Sequence, residues 1–157
     1  VAKDTVKIIE IENYEREINL DHLTFDGCLF ENIDFTKVSL KHLDLIDVTF
    51  DKCDLSNQNF DHQYLNRVQF KNCKLTGTSF IETNLQEASF YDANFKKIQF
   101  NETNLIQSEL ASLHHKGLDL STCQIQGAMF DLASLKGLII NDFQAVDLIG
   151  ILGVKVK

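Results

Sequence analysis

Histidine and cysteine side chains, which could bind a metal ion or form a disulfide, recur in this sequence at intervals of twenty residues. The histidines are His22, His42 and His62, and the cysteines are Cys53 and Cys73. A twenty-residue period would bring each set into register, so that three imidazoles could share a metal and two thiols could pair. Exposed residues of a repeat also recur for trivial reasons, and no CxxC spacing is present. We therefore expect surface histidines and small, buried, reduced cysteines.

His115 is the remaining candidate for chemistry. No nucleophile or pair of carboxylates is placed around it, so a hydrogen-bonded core histidine is the favoured interpretation. The sequence predicts no enzymatic activity, and no catalytic residue, cofactor, metal or small-molecule substrate.

The element that must position all these side chains is a five-residue repeat. From Leu20 to Ile140 every fifth residue is Leu, Phe or Ile except His115, and eleven of the twelve Phe lie on this frame. The residue two places before the large one is small or apolar in most units, such as Ile33, Cys53 and Ala88. Between the two stands a mostly polar residue, so each unit reads small, polar, large, polar, polar.

An α-helix cannot use this spacing, because five residues advance a side chain by roughly 140° and no single apolar face results. In extended backbone, residues two apart point to one side, so the small and the large residue both face inward and the other two turn a corner. Four such sides close a coil of twenty residues, and stacked coils bury one continuous core, as in solenoid proteins.

Segments such as Cys53–Asn57, Thr83–Glu87, Ala88–Asp92 and Ala93–Lys97 resemble the pentapeptide-repeat signature A(D/N)LXX. The resemblance implies an all-β fold, the right-handed quadrilateral β-helix of that family, with handedness taken from the family alone. We expect an N-terminal cap over residues 1–17, the β-helix over residues 18–141 and a closing helix and strand over residues 142–157.

The closing segment breaks the repeat. Asn141 or Asp142 can cap a helix that begins near Phe143, Gly153 ends it, and Val154–Val156 reads as a short strand. This aliphatic surface suits a two-fold dimer contact, although a plain end cap is the alternative. The predicted dimer interface consists of Phe143, Val146, Ile149, Leu152, Val154 and Val156.

The tail GLIINDFQAVDLIGILGVKV is similar to the closing element of quinolone-resistance proteins of the Qnr and MfpA type. The matching residues are Gly137, Gln144, Ala145, Leu152, Gly153, Val154 and Val156. This resemblance implies an end-to-end homodimer that binds DNA gyrase or topoisomerase IV, protects or modulates it and confers fluoroquinolone resistance, by mimicry of a DNA segment.

Charge gives that idea partial support. Residues 20–140 carry sixteen acidic and ten basic residues, so the rod has a net charge of −6. Over roughly 30 Å this is one charge per ~5 Å, against one per ~1.7 Å in duplex DNA. The acids are denser in the N-terminal half, and four lysines, Lys96, Lys97, Lys116 and Lys136, gather on one side near the C-terminal end. The predicted partner-binding acidic surface consists of Asp21, Asp26, Glu31, Asp34, Asp44, Asp47, Asp51, Asp54 and Asp61.

A chain of net charge −8 lacks the basic stripe that phosphates require, so direct nucleic-acid binding is disfavoured. No long apolar run predicts a membrane span, no signal peptide is visible and the cysteines suit a reducing compartment, so a cytoplasmic location is expected. Two functions stay open: a topoisomerase-binding protein, and a pentapeptide-repeat scaffold for some other protein partner.

Overall fold

The computed structural model describes residues 22–155 and residue 157, and shows short extended segments that wind in coils of twenty residues. Nine strands occur in the described part of the chain: β1 Thr24–Asp26, β2 Leu29–Glu31, β3 Asp44–Ile46, β4 Thr49–Asp51, β5 Leu65–Asn66, β6 Gln69–Lys71, β7 Ser89–Tyr91, β8 Glu109–Ala111 and β9 Met129–Phe130. All strand pairs are parallel, and each residue lies beside the residue twenty positions later, as in Phe30 beside Phe50. This register is the one that the repeat predicts.

The coil has four sides. The first side contains β1, β3 and β5, and the second contains β2, β4, β6, β7, β8 and β9. The third side is a ladder of single bridges from Asp34 to His114. The fourth side has bridges from Asn59 through Ser79 to Gln99 and, separately, from Asp119 to Ile139. The predicted all-β quadrilateral β-helix is thereby confirmed.

The corners depend on left-handed backbone. The residue two places after each large apolar residue has a positive φ at almost every corner, and sixteen of these residues are not glycine. Such a conformation costs roughly 1–2 kcal/mol for a residue with a Cβ, so the ladders on both sides of each corner must hold it. Within residues 22–137 three corner residues lack it: Lys37, Thr122 and Leu132.

Stacked aromatic rings fill the interior. Along the second side, the ring centroids of Phe50, Phe70 and Phe90 follow one another at 5.4 and 4.9 Å. Along the fourth side, Phe60, Phe80 and Phe100 do the same at 5.2 and 5.3 Å. Rings of the opposite second and fourth sides meet edge to face across the interior, as Phe70 and Phe80 do at 5.8 Å, which suits the quadrupole of the benzene ring. The leucines predicted for the first side, such as Leu65 and Leu85, are fully buried.

The C-terminal end of the rod carries two helices and a 3₁₀ turn. Helix α1, Leu132–Leu135, lies inside the stretch predicted to be repeat, and helix α2, Asp142–Ile149, follows the last coil. The turn Gly150–Leu152 continues α2 until Gly153, whose φ of 73° ends it. The short C-terminal helix is therefore confirmed.

The predicted strand at Val154–Val156 is wrong, because Val154 and Lys155 belong to no strand and Val156 lies outside the described residues. Gly153 turns the chain there, and no described strand pairs with Val154. The predicted cap over residues 1–17 and Asp21 also lie outside the described part of the chain.

Candidate protein-binding surfaces

The predicted acidic surface does not form one patch. Its described members lie on all four sides: Asp26 and Asp44 on the first, Glu31 and Asp51 on the second, Asp34 and Asp54 on the third, and Asp61 on the fourth, with Asp47 at the corner between the first two. The spacing in sequence correctly predicts which acids stack one coil above another. Acids at other spacings fall on different sides of the rod, so these acids do not share one face. A flat partner could touch only part of this set.

The first and second sides carry the densest group of acids. Glu31 stacks on Asp51 in the β2–β4 pair, and Asp51 in turn stacks on Lys71. Asp51 accepts a hydrogen bond of 2.9 Å from the side chain of Asn72, a neutral group that leaves its charge intact. Asp44 accepts a long bond of 3.5 Å from the Thr24 hydroxyl. We call Asp26, Glu31, Asp44 and Asp51 the acidic face.

Two of the predicted acids are matched by cations of the next coil. The guanidinium of Arg67 donates to both carboxylate oxygens of Asp47, at 2.6 and 2.7 Å, and forms a bidentate pair. Lys74 lies 3.4 Å from the carboxylate of Asp54. Both pairs are exposed to solvent, so each contributes little to stability. Their main effect is to lower the negative charge that these columns offer to a partner.

Asp34 and Asp61 have local structural roles. Asp34 accepts bonds from the N–H and the hydroxyl of Thr36, at 2.8 and 2.6 Å, and these bonds lower the pKa of its carboxyl group. Asp61 accepts from the hydroxyl of Ser79 and from the N–H of Ile81. Both carboxylates hold turns or neighbouring coils, so substituting them would alter the rod as well as its charge.

Helix α2 is fixed to the end of the rod by its polar side chains. Asn141 caps the helix, and its side-chain oxygen accepts from the N–H of Gln144 at 3.0 Å, while the Gln144 oxygen accepts from the Asn141 N–H at 2.8 Å. The Gln144 amide nitrogen donates to the carbonyls of Leu120 and Cys123, at 2.7 and 2.8 Å. Gln144 and Leu148 are buried, so this face of α2 covers the last coil.

The opposite face of α2 is exposed and carries large apolar side chains beside Asp147. Phe143 is 89% exposed, Val146 58% and Leu152 60%. Val154 is also exposed, Ile149 is half-buried and Val156 is outside the described residues. An aromatic ring this exposed on a capped, anchored helix is unusual for a plain end cap, and a cluster of such residues is typical of a protein contact.

The histidines and cysteines occupy the environments that the sequence predicts. The rings of His22 and His42 stack at 6.1 Å on a corner, and His62 lies 3.2 Å from Glu82. The described residues contain no group of three side chains arranged to hold a metal. Cys28, Cys53, Cys73 and Cys123 are free, buried thiols. Contact with the Cys53 thiol and burial raise the pKa of Cys73 well above its ordinary value.

His115 is a hydrogen-bonded, half-buried histidine. Its Nδ1 accepts from the N–H of Leu118 at 3.3 Å, so its Nε2 carries the proton and donates to the carbonyl of Ser134 at 2.8 Å. Both ring nitrogens are occupied by backbone. His115 therefore links the third side to α1 and is not presented to a substrate.

Sequence reasoning missed the part played by inward glutamines. Gln58 stands at a small inward position, where its amide nitrogen donates to the carbonyls of Phe35 and Val38 and its oxygen accepts from the Leu40 N–H. Gln144 makes the same three-bond pattern at the other end of the rod. The signal was present, since a glutamine at a position otherwise small or apolar must find partners when buried.

A stacked, four-sided solenoid with a closed core and exposed surface groups defines a protein of the repeat-scaffold class. The family model described as "Pentapeptide repeat region" matches residues 43–130. A second model, described as "Pentapeptide repeats (8 copies)", matches residues 16–51. The chain belongs to the pentapeptide-repeat family.

Several solved structures are similar to the chain. Full-length QnrB1, described as a plasmid-mediated fluoroquinolone resistance protein, is 16% identical over 86% of this chain and 85% of its own, with a TM-score of 0.41. HetL from the cyanobacterium Nostoc, involved in heterocyst differentiation regulation, is 20% identical over 71% and 60% of the two chains, with a TM-score of 0.35. A protein of the Arabidopsis thaliana thylakoid lumen is 23% identical over 69% and 75%, also at 0.35.

No curated protein sequence matches the chain. Among the described residues, none of the helices has the length and apolar character needed to cross a membrane.

Proposed function

We propose that this protein is a topoisomerase-binding rod that protects or modulates DNA gyrase, topoisomerase IV or both, and that can confer fluoroquinolone resistance. The observation that carries the proposal is the C-terminal element. Its sequence is similar to the tail of the Qnr and MfpA type, and its helix is anchored through Gln144 while Phe143 points outward. A repeat fold alone supports many functions, so the proposal depends on this element and on the acidic face.

We propose that α2 forms the centre of an end-to-end homodimer. The exposed face of α2 carries large apolar side chains, and a two-fold axis would cover the same residues on both copies. We expect Phe143→Asp to give monomers in sedimentation velocity, since it would place two carboxylates in the contact. Tyr64→Asp is the matched control, because Tyr64 is a 75% exposed aromatic residue on the side of the rod. A wild-type protein that is monomeric at micromolar concentration would contradict the dimer.

We propose that the acidic face contacts the topoisomerase where DNA would otherwise lie. Glu31 and Asp51 stack on adjacent coils, and no other described acid forms such a pair on the second side of the N-terminal half. Their negative potential would steer the rod toward a DNA-binding groove, whose own potential is positive. The alternative partner class, some other protein, remains an outcome of the test below.

Gyrase supercoiling with and without a fluoroquinolone tests this function. We expect purified protein to restore supercoiling in the presence of the drug, and Glu31→Lys/Asp51→Lys to lose that effect while keeping its thermal stability. Glu102→Lys/Glu109→Lys makes the same charge change on exposed acids elsewhere and should retain the effect. If the wild-type protein changes neither gyrase nor topoisomerase IV at several-fold excess, the scaffold function replaces this proposal.

Two expectations accompany the proposal. The protein acts without binding nucleic acid itself, because its net charge of −8 opposes phosphate contacts. It acts in the cytoplasm, where topoisomerases and reduced thiols are found together. An absence of shift with duplex DNA, in the same buffer as the supercoiling assay, checks the first of these.

A further inference from the structure

The backbone ladder of the fourth side opens between Gln99 and Asp119. One coil earlier, the N–H of Phe80 donates to the Gln99 carbonyl at 2.9 Å and the N–H of Gln99 donates to the Thr78 carbonyl at 3.0 Å. The corresponding N–H groups of Phe100 and Asp119 have no backbone partner among residues 22–155. The two coils therefore separate along this side, and a cleft of about 340 Å³ lies between them.

The cause is the corner residue Thr122. Almost every other corner of the rod has left-handed backbone, and a β-branched side chain such as Thr fits that conformation poorly. Thr122 does not adopt it, and its hydroxyl accepts the N–H of Glu102 at 3.1 Å in place of the Ser121 carbonyl. That carbonyl accepts instead from the side chain of Asn141 at 2.6 Å. The last repeat coil is thus drawn toward α2 and away from its neighbour.

A similar opening near the N-terminal end is closed from inside. No bridge joins Ser39 to Asn59 in the described ladder, but Gln58 supplies an amide that satisfies Phe35, Val38 and Leu40 there. The residue in register at the second opening, three coils later, is Leu118, which has no polar atom to offer. The second opening therefore leaves backbone groups without a protein partner.

The cleft offers both donors and acceptors. The N–H groups of Lys97 and Phe100 have no backbone acceptor in the described chain, and the carbonyls of Ile98 and Asp119 have no donor there. Alternating free N–H and C=O groups are what an added strand needs. A bare phosphate would be repelled by the carbonyls and by the carboxylate of Asp119, whose pKa is lowered by bonds from Ser121.

Two lysines flank the cleft. Lys97 and Lys116 line it, and both also line a neighbouring hollow of about 640 Å³ that includes Lys96 and His114. In a chain of net charge −8 this is a local excess of positive charge. It favours carboxylates on the ligand, at positions beside the backbone contacts.

We propose that this cleft binds an extended acidic segment of a partner protein, whose backbone pairs with the free groups of Phe100 and Asp119 and whose carboxylates lie against Lys97 and Lys116. The site is separate from the acidic face and from α2, so it does not depend on topoisomerase binding. Its ligand has the opposite charge to the ligand of the acidic face.

Fluorescence anisotropy with a labelled eight-residue peptide of alternating Glu and Val tests the proposal. We expect saturable binding, weakened on the order of tenfold by Lys97→Glu/Lys116→Glu, and little changed by Lys37→Glu/Lys41→Glu, which makes the same charge change on exposed lysines far from the cleft. The matching peptide of Lys and Val should not bind. Binding that is equally strong in the first double variant, or absent at millimolar peptide, overturns the proposal.

Two further measurements separate strand pairing from simple charge attraction. A peptide with methylated backbone nitrogens should bind at least about tenfold more weakly, because it cannot donate to the free carbonyls. Leu118→Gln should fill the cleft as Gln58 fills the first opening, and Thr122→Gly should let the corner close; both should abolish binding while circular dichroism and thermal melting show a folded rod. Unchanged affinity of the methylated peptide, or full competition by inorganic phosphate, would refute a peptide site.

Discussion

Gln144 is the side chain by which the C-terminal helix is joined to the rod, and replacing it should detach that helix. We consider Gln144→Ala and Gln144→Glu together. The side chain is 3% exposed and makes three hydrogen bonds, to the carbonyls of Leu120 and Cys123 and from the N–H of Asn141. Alanine removes all three, whereas glutamate keeps the shape but cannot donate when ionised.

The loss of stability in Gln144→Ala depends on which hydrogen-bond partners remain for the three backbone groups that Gln144 contacts. The Leu120 carbonyl still accepts from the Cys123 N–H, so it loses about 1 kcal/mol. The Cys123 carbonyl and the Asn141 N–H lose the only partner that they have among the described residues, at about 1–3 kcal/mol each when buried. Gln144→Ala should therefore destabilise the end of the rod by about 3–7 kcal/mol. Gln144→Glu should cost more at neutral pH, because a carboxylate would face two carbonyl oxygens.

The pH dependence distinguishes the two variants. A buried glutamate in that site has a pKa above its unfolded value, so its protonation favours the folded state and stability returns as pH falls toward the unfolded pKa. Thermal and urea melts between about pH 8 and about pH 5 measure this recovery of stability, and hydrogen exchange on α2 shows whether the helix is the part that recovers. Gln124→Ala, at an exposed position, is the control. Equal stability of Gln144→Ala and wild type, or no recovery of Gln144→Glu in acid, would refute the reasoning.

Three further predictions concern the rod itself. Phe70→Ala should lower the unfolding free energy by about 3–5 kcal/mol in urea melts, since the ring is fully buried between two others, while Tyr64→Ala should change it little. Asp131 caps α1 by accepting from the Ser134 N–H, and hydrogen bonds from Ser134, side chain first and then backbone, lower the pKa of its carboxyl group. Its other oxygen accepts from the N–H of Ser112 at 3.0 Å. Asp131→Asn keeps the cap but loses that second acceptor, so it should cost about 1 kcal/mol near neutral pH, and the wild-type advantage should vanish as pH falls below about 4. The four thiols should react with iodoacetamide only after unfolding, because burial and a raised pKa at Cys73 and Cys123 suppress the thiolate; modification of the native rod would contradict this.

The fold could be predicted from the sequence because one frame of the repeat decides both burial and register. Large side chains five apart admit extended sides and exclude a helix, and a twenty-residue coil then places Phe30 beside Phe50 without further assumption. Handedness did not follow from spacing, since left- and right-handed coils bury the same residues. It came from the family resemblance.

The corners were beyond prediction for a different reason. Left-handed backbone ordinarily selects glycine or asparagine, yet the rod holds Lys52, Arg67 and Glu82 in it. Ladder hydrogen bonds on both sides of each corner impose the conformation at most corners. Within residues 22–137 it is absent at Lys37, Thr122 and Leu132, and of these only Thr122 is β-branched and so has a local reason to avoid it.

The candidate surfaces were predicted unevenly. The apolar surface of α2 could be predicted from the sequence. Its apolar residues lie on more than one face of the helix, and only one face can pack against the last coil. The acidic surface was overestimated, since counting carboxylates ignores which face each column occupies and which cations stand in the next coil. Asp47 and Arg67 are twenty residues apart, so this neutralisation was itself readable from the period.

Breaks in the backbone ladder, rather than the regular coils, distinguish this rod from a uniform repeat. At three breaks in the backbone pairing of the described coils, a polar side chain replaces the lost partner: Gln58 near the first opening, the Ser134 hydroxyl beneath Leu113, and Gln144 at the end. The opening beside Phe100 is not filled in this way. Because buried backbone groups without partners are costly, a partner strand would gain most at this opening. The cleft is therefore the place where binding of an extended segment would stabilise the rod most, and where a ligand's effect on melting temperature should be largest.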